Sequence, residues 1–337
     1  MKLLQSMLFP FSLLYGTIIA LRNFCFDKGI LHSQIPDIPS IGIGNLSVGG
    51  TGKSVVIDYL ISIFKAQYSL VIVSRGYRRK SSGVIVANSN STVQSIGDEP
   101  YQFLSKHNVG IVVAEKRKKA LKTISQFKHL PDRILFDDIM QHRYIHPHCL
   151  IVTTTYSKPY FQDKLLPIGR LRESAKQIKR AQIIFVNRCP ENLSIKDQDF
   201  YLNKIKPSVN NRVFFTTIVY ENELKNRLKS KKLNSITNPF LLITGIAYPE
   251  PLINFLNKKG YNFIHLKYPN HYNFKDIDIK EIKRQQKGKK IVTTEKDFGR
   301  LENYFTSKEL YYISIKLKFL GKGKEKEFKT FLETFLV

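Results

Sequence analysis

Acidic side chains are in short supply: Asp and Glu number 27 against 54 Lys and Arg, a formal net charge of +27 over 337 residues. That excess suits polyanions, whether nucleic acid, anionic lipid headgroups or phosphorylated substrates, but a lysine-rich solvated surface produces it equally well. Charge alone selects no function. Cysteine is scarce too, and Cys25, Cys149 and Cys189 form no C-x-x-C pair. This excludes a disulfide framework or a zinc knuckle and fits a reducing cytosolic compartment. Cys149 opens an apolar run and Cys189 closes one, the setting of buried structural thiols. Tryptophan is missing altogether, an absence to which no function attaches. There are no internal repeats, no basic helix and no recognised RNA-binding motif, so nucleic acid is not expected as a partner.

The amino-terminal apolar stretch is short as well. Residues 7–21 read MLFPFSLLYGTIIAL, uncharged but interrupted by Pro10 and Gly16; a spanning helix needs roughly 20 residues. No A-x-A-like cleavage site follows, the next residues being RNFCFDKG. The expectation is an apolar helix lying in the membrane interface, with Lys2 and Arg22 touching anionic lipid. Packing onto the protein's own core is the plainer alternative.

What is present points to α/β construction. Hydrophobic residues at 42% and charged residues at 24% allow ordinary cores, and the length predicts two packed units. Short apolar runs at 40–44, 70–74, 84–87, 109–114, 134–136, 150–153 and 183–186 predict strands. Several are continuously apolar, as parallel strands covered on both faces must be. Helical patterns fall between them, for example at 54–65 and 116–127. A Lys-, Asn- and Ser-rich stretch over 225–238 predicts a linker. A second α/β unit follows, with strands at 240–244, 263–266 and 291–293 and helices at 251–259 and 277–286. The tail predicts a strand over 311–317 and an amphipathic helix over 325–336.

The sharpest chemical signal is Ser47-Val48-Gly49-Gly50-Thr51-Gly52-Lys53-Ser54, set between a predicted strand and a predicted helix. Glycines let backbone N–H groups wrap phosphate oxygens, and the helix adds its positive amino-terminal end. Lys53 then reaches the β- and γ-phosphates of a nucleotide, and the Ser54 hydroxyl ligates magnesium. Ser47 departs from the pattern, which places glycine there.

Carboxylates supply the remaining candidates. Ile134-Leu135-Phe136-Asp137-Asp138 is an apolar strand ending in an acidic pair, the way a sheet delivers an Asp to a nucleotide-bound magnesium. Adjacent strand residues face opposite sides, so at most one of the two is expected to contact the metal shell directly, unless the strand has already ended. A helix cap is the alternative use. Asp98, in the turn Gly97-Asp98-Glu99-Pro100, reads by itself as such a cap. His271 reads by itself as a structural histidine.

Eight segments in order then bear on function: GNLSVGGTGKS (44–54), SRGYRR (74–79), GDEP (97–100), FDDIMQHR (136–143), LLPIGRLRES (165–174), TGIAYP (244–249), YPNHYNF (268–274) and VTTEKD (292–297). Together they resemble the tetraacyldisaccharide 4′-kinase family of lipid A biosynthesis, over nearly the whole chain. The resemblance implies a P-loop NTPase-like α/β/α core, a second, smaller α/β lobe joined to it by a short β-ribbon, and an amino-terminal membrane-associated helix. The expected units are 1–30 (helix), 31–222 (kinase domain) and 223–337 (second lobe with linker strands and the carboxy-terminal helix). The implied reaction moves the γ-phosphoryl of ATP, with Mg2+, to the 4′-hydroxyl of a lipid A disaccharide 1-phosphate. Its implied setting is an anionic membrane surface, the cytoplasmic face of the inner membrane of a Gram-negative-type bacterium.

Carried over by motif, Asp98 and His271 are the expected pair that takes the hydroxyl proton, with Lys53 on the phosphates. Asp137, Asp138 and Glu173 are expected near the metal with Ser54. Tyr77, Gln141, Arg170 and Arg172 are expected to contact substrate or phosphate. A sugar hydroxyl is a poor nucleophile, so a positioned carboxylate that accepts its proton, tuned or oriented by a histidine, fits the chemistry. Ile139, where the family has Gly, Asn270 and Tyr272 flanking His271 where it has Asp and His, and Asn187-Arg188 in place of Thr-Lys all depart from the family pattern. The competing expectation is a P-loop GTPase or metal-insertion-type NTPase. It is weakened because Asn187-Arg188-Cys189-Pro190, the nearest match to N-K-x-D, lacks the Asp that reads guanine.

Overall fold

The computed structural model describes residues 2–236 and 239–336. The last two positions of the linker-like stretch and the outermost positions of the expected units lie outside the described residues.

Continuously apolar runs become strands buried on both faces. The first lobe contains β1 (Ser40–Gly44), β2 (Leu70–Ser74), β3 (Ile85–Val86), β4 (Gly110–Val113), β5 (Arg133–Asp137), β6 (Cys149–Thr155) and β7 (Ile183–Asn187). Its helices are α1 (Lys2–Asp27), α2 (Lys53–Phe64), α3 (Val93–Ile96), α4 (Asp98–His107), α5 (Arg117–Ile124) and α6 (Ile195–Ile205). Then come β8 (Arg212–Lys225), β9 (Ser230–Lys232), β10 (Phe240–Thr244), α7 (Glu250–Lys258), β11 (Phe263–Lys267), α8 (Asp276–Gln286), β12 (Ile291–Thr294), α9 (Glu295–Leu301), β13 (Leu310–Phe319) and α10 (Lys324–Glu333).

One sheet runs through both lobes in the order β11-β10-β12-β13-β8-β7-β6-β1-β5-β2-β4-β3, with β9 paired to β8. Strands β4-β2-β5-β1-β6-β7-β8 are parallel, and β3 closes the edge antiparallel to β4. The carboxyl ends of β1, β2 and β5 therefore share one edge, where such sheets bind ligands. The apolar faces bury Val73, Phe136 and Val152 on one side and Ile41, Ile57 and Leu135 on the other.

The joint between lobes lies outside the predicted linker. Strand β8 pairs parallel with β7 through Arg212–Phe215 and then antiparallel with β13 from Thr216 to Lys225. The β8–β13 ribbon is thus the joint, and the expected boundary at residue 222 falls inside a strand. The described part of 225–238 folds instead as β9 and a short 3-10 turn whose Leu233 and Ile236 enter the second-lobe core.

The carboxy-terminal helix also changes sides. Expected with the second lobe, α10 packs on the first: Phe328 and Leu332 are fully buried among Val56, Leu60 and Phe185. Truncating a buried Phe such as Phe328 costs about 3–5 kcal/mol, so the chain's end secures the nucleotide-side core.

Helix α1 is longer than its apolar run and continues through Pro10 and Gly16. A Cβ at Gly16 would come within 3.0 Å of Leu165, so the glycine lets the helix lie close to that loop. Residues Met7–Asp27 are long and apolar enough to cross a membrane, correcting the expectation from the fifteen-residue run.

Candidate active site

The glycine loop folds as its residue types require. Gly52 holds φ +95°, and a Cβ there would sit 2.5 Å from Asn187 Nδ2. Asn187, at the end of β7, donates that amide to Thr51 O (2.8 Å) and accepts from Thr216 Oγ1 (2.6 Å). The family departure at this position is therefore the strut of the loop. Gly52 gives α2 no side-chain cap, leaving its first N–H groups for an anion.

Ser47 is tolerated because this position needs no left-handed backbone; it is absent from the positive-φ residues. The entering chain instead pairs with residues 170–172, Val48 N donating to Arg170 O (2.7 Å) and Arg172 N to Leu46 O (2.8 Å).

The acidic pair stands where β5 ends, so strand alternation does not separate the two side chains, and both line one cleft with different partners. Asp137 accepts from Ser74 Oγ at 2.9 Å. Asp138 faces Lys53 Nζ (3.3 Å) and Arg172 Nη1 (2.9 Å). Burial alone would raise the Asp138 carboxyl, but Lys53 and Arg172 hold it at about 2. Asp137 goes the other way: burial, then the charge of Asp138, pushes it up to about 6. Ile139, where the family has Gly, does not itself take a left-handed backbone; the residue before it does. Asp138 takes φ +51°, while Ile139 is buried and donates its N–H to Ile43 O at 3.1 Å.

Asp98 and His271 come together from different lobes. His271 Nδ1 lies 2.7 Å from Asp98 Oδ2. Arg300, on α9, donates Nε to Asp98 Oδ1 (3.0 Å) and Nη2 to Oδ2. Burial would raise Asp98, but the hydrogen bonds from His271 and Arg300 and the guanidinium charge bring it down to about 2. An ionised carboxylate accepts and cannot donate. In the neutral ring the proton therefore sits on Nδ1, and Nε2 is left as the acceptor. His271 lines the main cleft, and Asp98 stands behind it against a smaller cavity between the lobes.

That cleft, about 1010 Å³, is lined by the glycine loop, Lys53, Asp138, Tyr77, Gln141 and His271, among others. Ser54, Asp137 and Arg172 also reach it. Lys53 Nζ rests on Asn45 Oδ1 (3.0 Å), and Gln141 joins Arg172 Nη1 (2.9 Å) to Asn45 O (3.0 Å). Tyr77 is exposed and meets His271 edge-on, ring centroids 6.3 Å apart.

Two expected residues are not brought there. Glu173 is completely buried, accepting from Asn23 Nδ2 and Arg180 Nη2, both at 3.0 Å, and it does not line the cleft. The expectation that it stands at the metal is corrected: the chain bends at Arg172 and Glu173, and Arg172 faces Asp138 in the cleft while Glu173 faces Asn23 of α1. Arg170 turns to Asp163 (2.8 Å) outside the cleft and contributes its carbonyl to the loop. The residues that sequence reasoning missed are Asn45 and Arg300. Asn45 stands inside GNLSVGGTGKS, and Arg300 lies one helical turn beyond VTTEKD.

The arrangement fits a magnesium-bound nucleoside triphosphate. Gly49 (φ +107°) and Gly52 leave open backbone where a Cβ would intrude, and Lys53 supplies the phosphate cation. Among the described residues no group of three metal-ligating side chains occurs. Ser54, Asp137 and Asp138 on one wall of the cleft are donors that fit magnesium, which takes one or two carboxylates and completes its shell with phosphate and water. Asp137 is the member of the pair without an ion-pair partner among the described residues, and burial and the Asp138 charge raise it, whereas Lys53 and Arg172 hold Asp138.

Comparison with known proteins agrees. A family model described as Tetraacyldisaccharide-1-P 4′-kinase matches residues 4–337. The Tetraacyldisaccharide 4′-kinase of Flavobacterium johnsoniae is 41% identical over 325 residues, covering 95% of this chain and 94% of its own length. That of Flavobacterium psychrophilum is 42% identical over 333 residues, covering 96% and 95%. Among solved structures, LpxK from Aquifex aeolicus in complex with ATP superposes with a TM-score of 0.80 at 26% identity, covering 99% of this chain and 100% of that one.

Proposed function

The chain belongs to the tetraacyldisaccharide-1-P 4′-kinase family, and from that premise we propose a residue-level account of how it acts. It is an ATP-dependent kinase of lipid A biosynthesis, transferring the γ-phosphoryl of ATP to the 4′-hydroxyl of a tetraacyldisaccharide 1-phosphate. The observation that carries the account is that Lys53, Asp138 and His271, drawn from both lobes, line one cleft.

In this reading the glycine loop and Lys53 hold the triphosphate, and the acceptor alcohol enters beside Tyr77. The oxygen–phosphorus bond to the sugar forms as the bond to ADP breaks, and the hydroxyl proton passes to the Asp98–His271 pair. Nε2 of His271 is the open acceptor of that pair, with Asp98 fixing the opposite nitrogen. Arg172, bridged to Asp138 and Gln141, is poised for phosphate. Magnesium, held by Ser54 and the Asp137–Asp138 pair, would neutralise charge on the β- and γ-phosphates.

We place the protein on the cytoplasmic face of the inner membrane, with α1 in the anionic interface. Phe9, Phe11, Leu14, Ile18, Leu21 and Phe24 are exposed along that helix. Its other side is tied down: Tyr15 OH donates to Arg172 O (2.8 Å) and Arg22 Nη2 to Gln141 O (2.6 Å). An interfacial helix thus buttresses two residues of the cleft and brings it to the lipid boundary.

A guanine-specific NTPase is not favoured, since Asn187 spends its amide on Thr51 O and Cys189-Pro190 offers no carboxylate. The test is turnover in mixed micelles containing the disaccharide 1-phosphate, with ATP and GTP compared. Acceptor-dependent ADP formation supports the reading; GTP preference, or hydrolysis indifferent to acceptor, overturns it.

A further inference from the structure

Arg300 occupies a position that the phosphate chemistry alone does not require. Its side chain is 5% exposed and bonds two carboxylates that are themselves buried, Asp98 of the first lobe and Asp297 of the second. Nε and Nη2 form a fork on Asp98, and Nη1 donates to Asp297 Oδ1 at 3.0 Å. Asp297 also accepts from Gly245 N (2.8 Å), and Gly245 O receives the His271 N–H (2.9 Å). The circuit closes through His271 Nδ1 on Asp98. Both the ring and the backbone of His271, which holds φ +58°, are thereby referred to one guanidinium.

We propose that Arg300 is the positioning residue of the Asp98–His271 pair: bridging the two lobes, it keeps the Asp98 carboxylate ionised and so fixes the proton of His271 on Nδ1, with Nε2 open to the acceptor. This deepens the kinase reading and rests on it. The logic is one of tautomers. With a cation forked on Asp98, its oxygens can only accept; Nδ1 lies nearer to Asp98 Oδ2 (2.7 Å) than to Arg300 Nη2 (3.0 Å), so Nδ1 donates to the carboxylate. Without that cation, burial favours the neutral acid. The shared proton can then sit on Asp98, facing an unprotonated Nδ1, and Nε2 becomes a donor unable to receive the hydroxyl proton.

The other charges around Asp98 do not replace Arg300. Glu99 adds negative charge and spends Lys296 on itself (2.9 Å). Asp297 is a further carboxylate, and burial raises its own pKa. Arg78 reaches the His271 carbonyl at 3.5 Å rather than the carboxylate.

The experiment begins with wild-type phosphorylation of the disaccharide 1-phosphate; if that fails, the kinase reading falls and Arg300 is not at issue. With wild type active, Arg300→Met and Arg300→Lys are compared by kcat, ATP affinity, thermal midpoint and 15N NMR of the histidine rings, His271→Gln assigning the resonance. The expected result for Arg300→Met is a fall in kcat of about 10²-fold with ATP affinity kept, and loss of the pure Nδ1–H pattern at His271. An added acid limb appears in the pH profile, and added guanidinium restores part of kcat in Arg300→Ala. Arg300→Lys, which keeps a cation, retains more activity and the wild-type tautomer. Wild-type kcat in Arg300→Met overturns the proposal. So does a loss of activity that follows a lowered thermal midpoint, with the His271 tautomer unchanged and no guanidinium rescue.

Discussion

Replacing Phe11 and Leu14 together by serine isolates the membrane role of α1. The two side chains lie on one face of the helix at 63% and 60% exposure, so the protein itself gains little from them. Fully burying a Phe or Leu is worth about 1.5–3 kcal/mol. The part still exposed on each is therefore worth roughly 1–1.5 kcal/mol when moved into acyl chains. The pair contributes roughly 2–3 kcal/mol, and at 1.4 kcal/mol per factor of ten the double variant should partition about 30–150-fold more weakly. Sedimentation with sucrose-loaded vesicles containing phosphatidylglycerol measures this directly. The thermal midpoint should stay put, and kcat with a detergent-dispersed acceptor should survive. A partition coefficient within about threefold of wild type would refute the interfacial placement and leave α1 as a helix that merely covers the domain.

Three further perturbations probe the cleft. Lys53→Ala should lower phosphoryl transfer by about 10²–10³-fold, with an unchanged circular dichroism spectrum; retained turnover would remove Lys53 from the phosphates. Asp98→Asn and His271→Gln should each lower kcat by about 10²–10⁴-fold while ATP affinity, read by titration, is kept. Either variant turning over at the wild-type rate would dissolve the pair. Asp137→Asn should stabilise the metal-free protein at high pH. The folded carboxyl is raised to about 6 from an ordinary value of 3.8, so its favourable contribution is full below 3.8 and lost as pH rises through 6. In EDTA the variant should gain up to about 3 kcal/mol at pH 8 and little near pH 4, at the expense of turnover; no difference between the two pH values would deny the buried acidic pair.

The parts legible in sequence are those fixed by local rules. The glycine loop shows because its backbone needs residues without Cβ, and the parallel strands show because burial on both faces demands unbroken apolar runs. Long-range partners do not show. The resemblance implied a β-ribbon, but residue types did not locate it, because one strand changes from a parallel to an antiparallel partner within fourteen residues. The destination of α10 depends on Phe328 meeting Phe185 and Phe214, far back in the chain. Glu173 reads like its neighbour Arg172 until the bend at these two residues turns it to Asn23. Arg300 finds Asp98 across 202 residues, a pairing that no spacing announces. The motif order carried the pair Asp98 and His271 where residue types alone gave a cap and a lone histidine.

The central claim is that a triphosphate in the glycine loop meets a sugar alcohol within reach of His271. Incubating the protein with ATP and the disaccharide 1-phosphate, then correlating 31P with ring protons by NMR, tests it most directly. The account predicts a second phosphate monoester coupled to H4′, formed one-for-one with ADP. Phosphate on another hydroxyl, a diphosphate built on the 1-phosphate, or ADP released with the acceptor untouched would contradict it.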